Sequence, residues 1–202
     1  MGTSLQSKVI VVTGSSRGIG RHLAMLLLER GATVVLNGRD PERLEKTRVE
    51  LAERASERVS ALAGDVSHLE FCKSLAEFVR TKHGRLDGLI NNAGASMRGN
   101  FSELSAATVD SIVHSNLQGS IYPTLACGPL LKESRGSVVF VSSLAGARGF
   151  PGVSVYSAAK MALTGLSQSL RAEWSSAGVH VGLVFLAFTE NDPDKRHSIL
   201  SQ

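Results

Sequence analysis

The chain has 202 residues, 43% of them hydrophobic and 20% charged, with a net charge of +4. That composition fits one globular domain, long enough to bury about 70% of the surface its unfolded chain would expose. The basic residues are scattered, which speaks against a nucleic-acid-binding stripe. Cys72 and Cys127 match no metal or redox spacing and read as reduced, buried or half-buried fillers. No stretch approaches the ~20 apolar residues of a membrane span. Residues 1–7 are short and polar, so no secretion leader is expected and the cytosol is the expected compartment.

In chain order, residues 8–12 are predicted as a buried strand and 18–30 as a helix stopped at Gly31. A strand over 33–36 follows, then Gly38-Arg39-Asp40-Pro41 and a charged helix over 41–55. The next predicted elements are a strand over 59–63, a helix over 69–83 and a strand over 88–90 that leaves through Asn91-Asn92-Ala93-Gly94. A long helix over 106–131, a strand over 137–141, a helix over 155–177 and a strand over 180–185 complete the series. Near-continuously apolar strands alternating with amphipathic helices predict an α/β fold: a Rossmann-type, doubly wound parallel sheet with helices on both faces. Its ligand crevice lies at the carboxyl ends of the strands. Residues 14–20, Arg39, Asp65, Asn91 to Gly94 and Ser143 all follow predicted strands there.

Tyr156 and Lys160 stand four apart, a spacing that puts both on one helix face. An adjacent cation favours the ionised phenol, which ordinarily forms near pH ~10, and that tuning would make Tyr156 a general acid or base. Ser143 lies thirteen positions upstream; Ser142 is the alternative serine. Thr13-Gly14-Ser15-Ser16-Arg17-Gly18-Ile19-Gly20 joins an apolar run to a helical pattern, where backbone N–H groups make an anion site. Its glycines, at 14, 18 and 20, would let backbone approach a pyrophosphate. After the second strand an acid would bind the ribose hydroxyls of NAD. Gly38 stands there, followed by Arg39. Arg39 and Arg17 can hydrogen-bond a 2′-phosphate, so NADP(H) is expected over NAD(H). Asp40 reads as the cap of the following helix.

These motifs together resemble the short-chain dehydrogenase/reductase family, in its compact single-domain subclass, from about residue 8 to 192. The resemblance implies a single oxidoreductase domain over residues 1–202 that moves a hydride between nicotinamide and a carbonyl or secondary alcohol. It implies Tyr156 as general acid/base, Lys160 lowering its pKa and holding the nicotinamide ribose, Ser143 bonding the substrate oxygen, and Asn116 completing a water-borne relay to the lysine. For the cofactor it implies Gly14, Ser16, Arg17, Gly18, Ile19, Gly20 and Arg39, with Asp65 and Val66 at the adenine. Asn92, Ala93 and Gly94 would line the adenosine ribose, and Tyr156 and Lys160 would also contact the cofactor. Expected partners are a small carbonyl or alcohol substrate and further copies in a homodimer or homotetramer. No nucleic acid, metal or membrane span is expected. Met161, Leu163, Leu166 and Leu170 could serve the copy–copy contact or the core.

Two departures stand against the family pattern. Leu186-Ala187 occupies the place of a usual Pro-Gly, before Phe188-Thr189-Glu190-Asn191. The sequence also stops at Gln202, within a partial substrate lid over 190–202, so a final strand is expected to be missing and a sheet edge exposed. These departures keep a second reading open: a weak or inactive homologue that binds a nucleotide or a protein partner.

Overall fold

The computed structural model describes residues 5–187. Among them, six strands form one parallel sheet in the order β3-β2-β1-β4-β5-β6. They are β1 (Val9–Val12), β2 (Thr33–Gly38), β3 (Val59–Ala63), β4 (Gly88–Asn91), β5 (Ser137–Ser143) and β6 (His180–Leu186). The helices are α1 (Gly18–Glu29), α2 (Pro41–Ala55), α3 (Leu69–His83), α4 (Ala106–Val113), α5 (Gly119–Ser134) and α6 (Ser154–Glu173).

Strand alternation divides the core. Val9 and Val11 point to one face with Val35, Leu89, Val138 and Phe140, where Leu75, Val79, Leu131 and Leu163 cover them. Ile10 and Val12 point to the other with Val34 and Leu36, against Ala24, Leu28, Leu44 and Leu51. Successive side chains of a strand face opposite ways, so β1 must be apolar throughout to serve both layers. Val11 and Val12 are fully buried, and each such side chain stabilises the fold by roughly 1.5–3 kcal/mol. Cys72 and Cys127 are buried free thiols.

The boundaries differ from the predicted ones where tertiary contacts intervene. β2 runs on to Gly38 and β5 to Ser143, because their neighbours β3 and β6 continue the ladder, pairing Gly38 with Ala63 and Ser143 with Leu186. The helix predicted over 106–131 is divided: His114–Gln118 forms a single π turn between α4 and α5. Pro123 lies inside α5 and has no N–H to offer the carbonyl one turn back. Two hydroxyls bond back one turn along the same segment, Ser120 Oγ donating to Asn116 O at 3.0 Å and Thr124 Oγ1 to Ser120 O at 2.7 Å. α6 ends at Glu173 rather than 177, where buried Trp174 turns into the core.

β6 lies at the edge of the described sheet, with Val184 45% and Phe185 42% exposed. The expected partial lid over 190–202 and the segment from Phe188 to Asn191 lie outside the described residues. No helix among the described residues is long and apolar enough to cross a membrane.

Candidate active site

The turn after β1 is held from three sides. Gly14 adopts φ +64°, and a Cβ there would stand 2.8 Å from Ala93 Cα, so only glycine fits against the β4 exit. Thr13 Oγ1 accepts from the N–H groups of Asn92 and Ala93, both at 3.0 Å. Asn92 Nδ2 donates back to Thr13 O at 3.0 Å and Gly14 O at 3.2 Å. On the β2 side, Ser15 N–H donates to Asn37 O at 2.8 Å, and Ser15 Oγ accepts from Asn37 N–H at 2.9 Å. From α2, Thr47 Oγ1 donates to Ser16 O at 2.9 Å. Arg17 precedes α1 in extended conformation and gives no side-chain cap. The first N–H groups of α1 therefore meet the turn without a side-chain acceptor at the cap, the arrangement that favours a phosphate.

Charge at the ends of β2 and β3 is arranged around Gly38. A Cβ on Gly38 would meet Ser16 Oγ at 3.0 Å, so the residue type at this position sets the room beside Ser16. Arg39 Nη1 lies 3.8 Å from Asp65 Oδ2, an exposed pairing the sequence did not foretell. Asp65 Oδ1 accepts from Ser67 N–H at 2.9 Å and Ser67 Oγ at 2.8 Å. Burial works against the ionised Asp65 carboxyl, but the Ser67 bonds and the Arg39 and His68 charges outweigh it and lower its pKa. Asp40 caps α2, its Oδ1 accepting from Arg43 N–H at 3.0 Å. A depression of about 330 Å³ beside the turn is bounded by Ser16, Arg17, Arg43, Lys46 and Thr47, among others.

Around α6 the structure gathers Asn116, Ser143, Tyr156 and Lys160. Lys160 is 5% exposed and its Nζ donates to Val141 O at 2.9 Å; burial brings its pKa down to about 8. The same Nζ lies 5.9 Å from the Tyr156 ring centroid. The expected lowering of the phenol by Lys160 is overturned for this state: burial raises the Tyr156 pKa, and the opposing influence is hydrogen bonding with Ser143. The reason is geometric, since the amine is directed at the β5 backbone and is itself discouraged from holding its proton. Ser142 Oγ is buried and donates to Lys160 O at 3.2 Å. Ser143 Oγ is half-buried and accepts from Ala145 N–H at 3.2 Å.

Asn116 is fully buried in the π turn; its Nδ2 donates to Ala95 O at 2.8 Å and Ile112 O at 3.0 Å. Its Oδ1 has no partner among the described residues. A Cβ on Gly94 would stand 2.6 Å from that Oδ1 and 3.4 Å from Lys160 Nζ. The missing side chain at 94 thus keeps a polar space open between amide oxygen and amine. A buried acceptor without a partner costs about 1–3 kcal/mol, so this space fits a hydroxyl or water rather than an apolar group.

Of the sequence-derived candidates, Gly14, Ser16, Arg17, Gly18, Gly20, Asn92 and Ala93 fall in or against the turn. Arg39, Asp65 and Val66 lie at the next strand ends. Asn92 acts within the protein as a brace. Thr13, Ser15, Asn37, Thr47 and Thr124 were missed. Thr13 and Ser15 lay inside the quoted motif, but Thr47 carried no signal, as its contact joins residues 31 positions apart. Thr124 accepts from buried Asn91 Nδ2 at 2.8 Å.

Comparison with known proteins agrees with this geometry. The chain is 37% identical over 188 residues to the 11-beta-hydroxysteroid dehydrogenase-like protein 4A of Arabidopsis thaliana, covering 93% of this chain and 62% of that protein. It is 32% identical over 197 residues to the 3-oxoacyl-[acyl-carrier-protein] reductase FabG of Chlamydia muridarum, covering 96% and 79% respectively. The chain thus spans less than two thirds of the plant relative. Among solved structures, a Shigella flexneri short-chain dehydrogenase complexed with NADP superposes with a TM-score of 0.90 at 30% identity, covering 98% of this chain and 84% of that one. A sequence model of the short chain dehydrogenase family matches residues 8–198, and with the strand order and turn described above this match establishes that the chain belongs to that family.

Proposed function

We propose that this protein is an NADP(H)-dependent oxidoreductase that interconverts a carbonyl and a secondary alcohol, with residues 1–202 as one domain. NADP(H), when bound, supplies or accepts the hydride. Tyr156 gives the proton to the carbonyl oxygen or removes it from the alcohol. Ser143 donates a hydrogen bond to that oxygen as charge develops on it. Lys160 holds ribose hydroxyls, and Asn116 Oδ1 takes part in proton resupply across the space above Gly94.

The observation that carries this reading is the convergence of Lys160 Nζ and the unpartnered Asn116 Oδ1 on the Gly94 gap, one helical turn from Tyr156. The phosphate preference is supported by Gly38 in place of an acid, by Arg17 and Arg39, and by Arg43 and Lys46 beside Ser16. Arg39 leans toward Asp65, but an exposed pair is worth about 0–1 kcal/mol and yields to a phosphate. A cytosolic homodimer or homotetramer through α5 and α6 is part of the proposal. Leu163 is buried and Leu166 and Leu170 pack on the core, which leaves Met161 (38% exposed) and Leu125 (61% exposed) for such a contact.

The test is turnover of a carbonyl panel with NADPH by the parent protein and by Tyr156→Phe. A loss of about 10²–10⁴-fold with NADPH binding retained is expected; equal turnover would sink the mechanism. The exposed β6 edge, with Val184 and Phe185, favours a second reading as a non-catalytic binding homologue. That reading requires a folded parent protein that binds nucleotide or partner and reduces no member of the panel.

A further inference from the structure

Two loops extend from the residues of the candidate site, one past Gly94 and the other past Ser143. Residues 92–105 leave β4 and are anchored where Ala95 O accepts from Asn116 Nδ2. Residues 144–153 run from Ser143 to the start of α6. Gly99 N–H donates to Gly152 O at 2.9 Å and joins them. Each loop carries one exposed guanidinium, Arg98 three residues past Ala95 and Arg148 five past Ser143. Arg98 leans on the second loop, its Cγ 3.8 Å from where a Cβ on Gly152 would stand. The Arg148 guanidinium lies over the Phe150 ring, 4.8 Å from its centroid. Stacking engages the flat face of a guanidinium and leaves its N–H edges for an oxyanion.

Charge balance at this rim is one-sided. Neither arginine is ion-paired to a carboxylate among the described residues. Glu103 is the only acid in residues 92–105, and it accepts from Asn100 Nδ2 at 3.1 Å. Residues 144–153 contain no acid. Arg148 stacks on Phe150 and Arg98 leans on the second loop, so both cations are positioned on the tied loops with no carboxylate to neutralise them.

We propose that Arg98 and Arg148 are a specificity-determining pair, so that the substrate is a carbonyl compound, or its alcohol, carrying a carboxylate or phosphate remote from the reacting carbon. The inference rests on the oxidoreductase reading above. In the reductive direction a bound NADPH would supply the hydride that the carbonyl carbon takes up, and Tyr156 would give its proton to the oxygen, whose new O–H bond uses the C=O π pair. The anionic group is unchanged and serves only to hold and orient the substrate.

The test uses two matched pairs with the same reacting carbonyl: levulinate against methyl levulinate, and dihydroxyacetone phosphate against dihydroxyacetone. Affinities are measured calorimetrically in the NADP⁺-loaded Tyr156→Phe protein, and turnover is measured in the parent. At least one charged compound is expected to bind about tenfold tighter than its neutral partner, the factor one charge-assisted hydrogen bond is worth. Which pair responds distinguishes carboxylate from phosphate. In Arg98→Gln/Arg148→Gln the ratio falls toward one, while Arg98→Lys/Arg148→Lys keeps part of it; thermal melts establish that both variants are folded. Equal affinities within both pairs, a preference that survives the glutamine variant, or no binding of either anion would overturn the proposal. A charge preference without parent turnover leaves the rim standing and removes the catalytic reading instead.

Discussion

Lys160 Nζ donates to Val141 O at 2.9 Å, fastening α6 to the last turnward residues of β5. This bond holds an amine almost wholly out of water, and burial brings its pKa down to about 8. Unfolded, the same amine titrates near ~10.4. Between these values the unfolded chain binds the extra proton, so stability rises with pH across the interval and the penalty is full below about 8. Relative to Lys160→Met, the parent should gain stability as pH rises from about 8 to 10, by on the order of 3 kcal/mol at most. Parallel denaturant curves over that range check it; matching pH slopes for the two proteins would refute it.

Ser142 and Ser143 are adjacent, yet their hydroxyls face different tasks. Ser142→Ala removes a buried bond to Lys160 O and should cost about 0.5–1.5 kcal/mol of stability with modest loss of turnover. Ser143→Ala removes the one hydrogen bond that pulls the phenol pKa down. Its turnover should fall about 10²–10³-fold, with the alkaline limb of the rate profile moved to higher pH. Steady-state kinetics against pH, beside melts of both variants, separates the two roles.

Gly94→Ala places a methyl group 2.6 Å from Asn116 Oδ1 and 3.4 Å from Lys160 Nζ. Overpacking of this kind costs about 1–3 kcal/mol. The protein should fold with a lowered melting temperature and lose most of its turnover, because the polar space above Gly94 is filled. Retention of full turnover would show that this space carries no proton.

The alternation of apolar and amphipathic segments made the layered fold legible, because β1 serves two cores and so is apolar at every position. The glycine turn and the Tyr156–Lys160 spacing were legible for a similar reason: local backbone geometry and helical period are written locally. What could not be read depends on distant partners. The π turn carries Asn116, whose amide reaches Ala95 O in another loop, and the brace from Thr47 to Ser16 likewise joins residues far apart in sequence. The direction of the Tyr156 pKa shift depends on where Lys160 points, which the four-residue spacing does not decide. Asp65 engaging Arg39 likewise requires β2 and β3 to end side by side.

Asp87 offers a test of the scaffold remote from Tyr156. Its side chain is 5% exposed, bonds Lys8 Nζ at 3.0 Å and Arg85 Nη2 at 2.7 Å, and accepts from Val9 N–H at 3.0 Å. Burial pushes its pKa up, but the bonds to Arg85, Val9 and Lys8 outweigh this and lower it. Its contribution is therefore present above an unfolded pKa near ~3.9 and is lost as pH falls through the folded value. Asp87→Ala should cost about 1–3 kcal/mol at pH 7 by stranding the Val9 N–H, and should flatten the acid limb of stability. Urea titrations at pH 7 and pH 3 measure both effects.

The most direct measurement is calorimetric titration of the protein with NADPH and with NADH, repeated for Arg39→Asp. Saturable binding that prefers NADPH about tenfold or more, with the preference lost or reversed in Arg39→Asp, is the expected result, since a charge-assisted phosphate contact is replaced by repulsion. A folded protein that binds neither nucleotide, or binds both equally with and without Arg39, would contradict an NADP(H) site at the β1 and β2 strand ends.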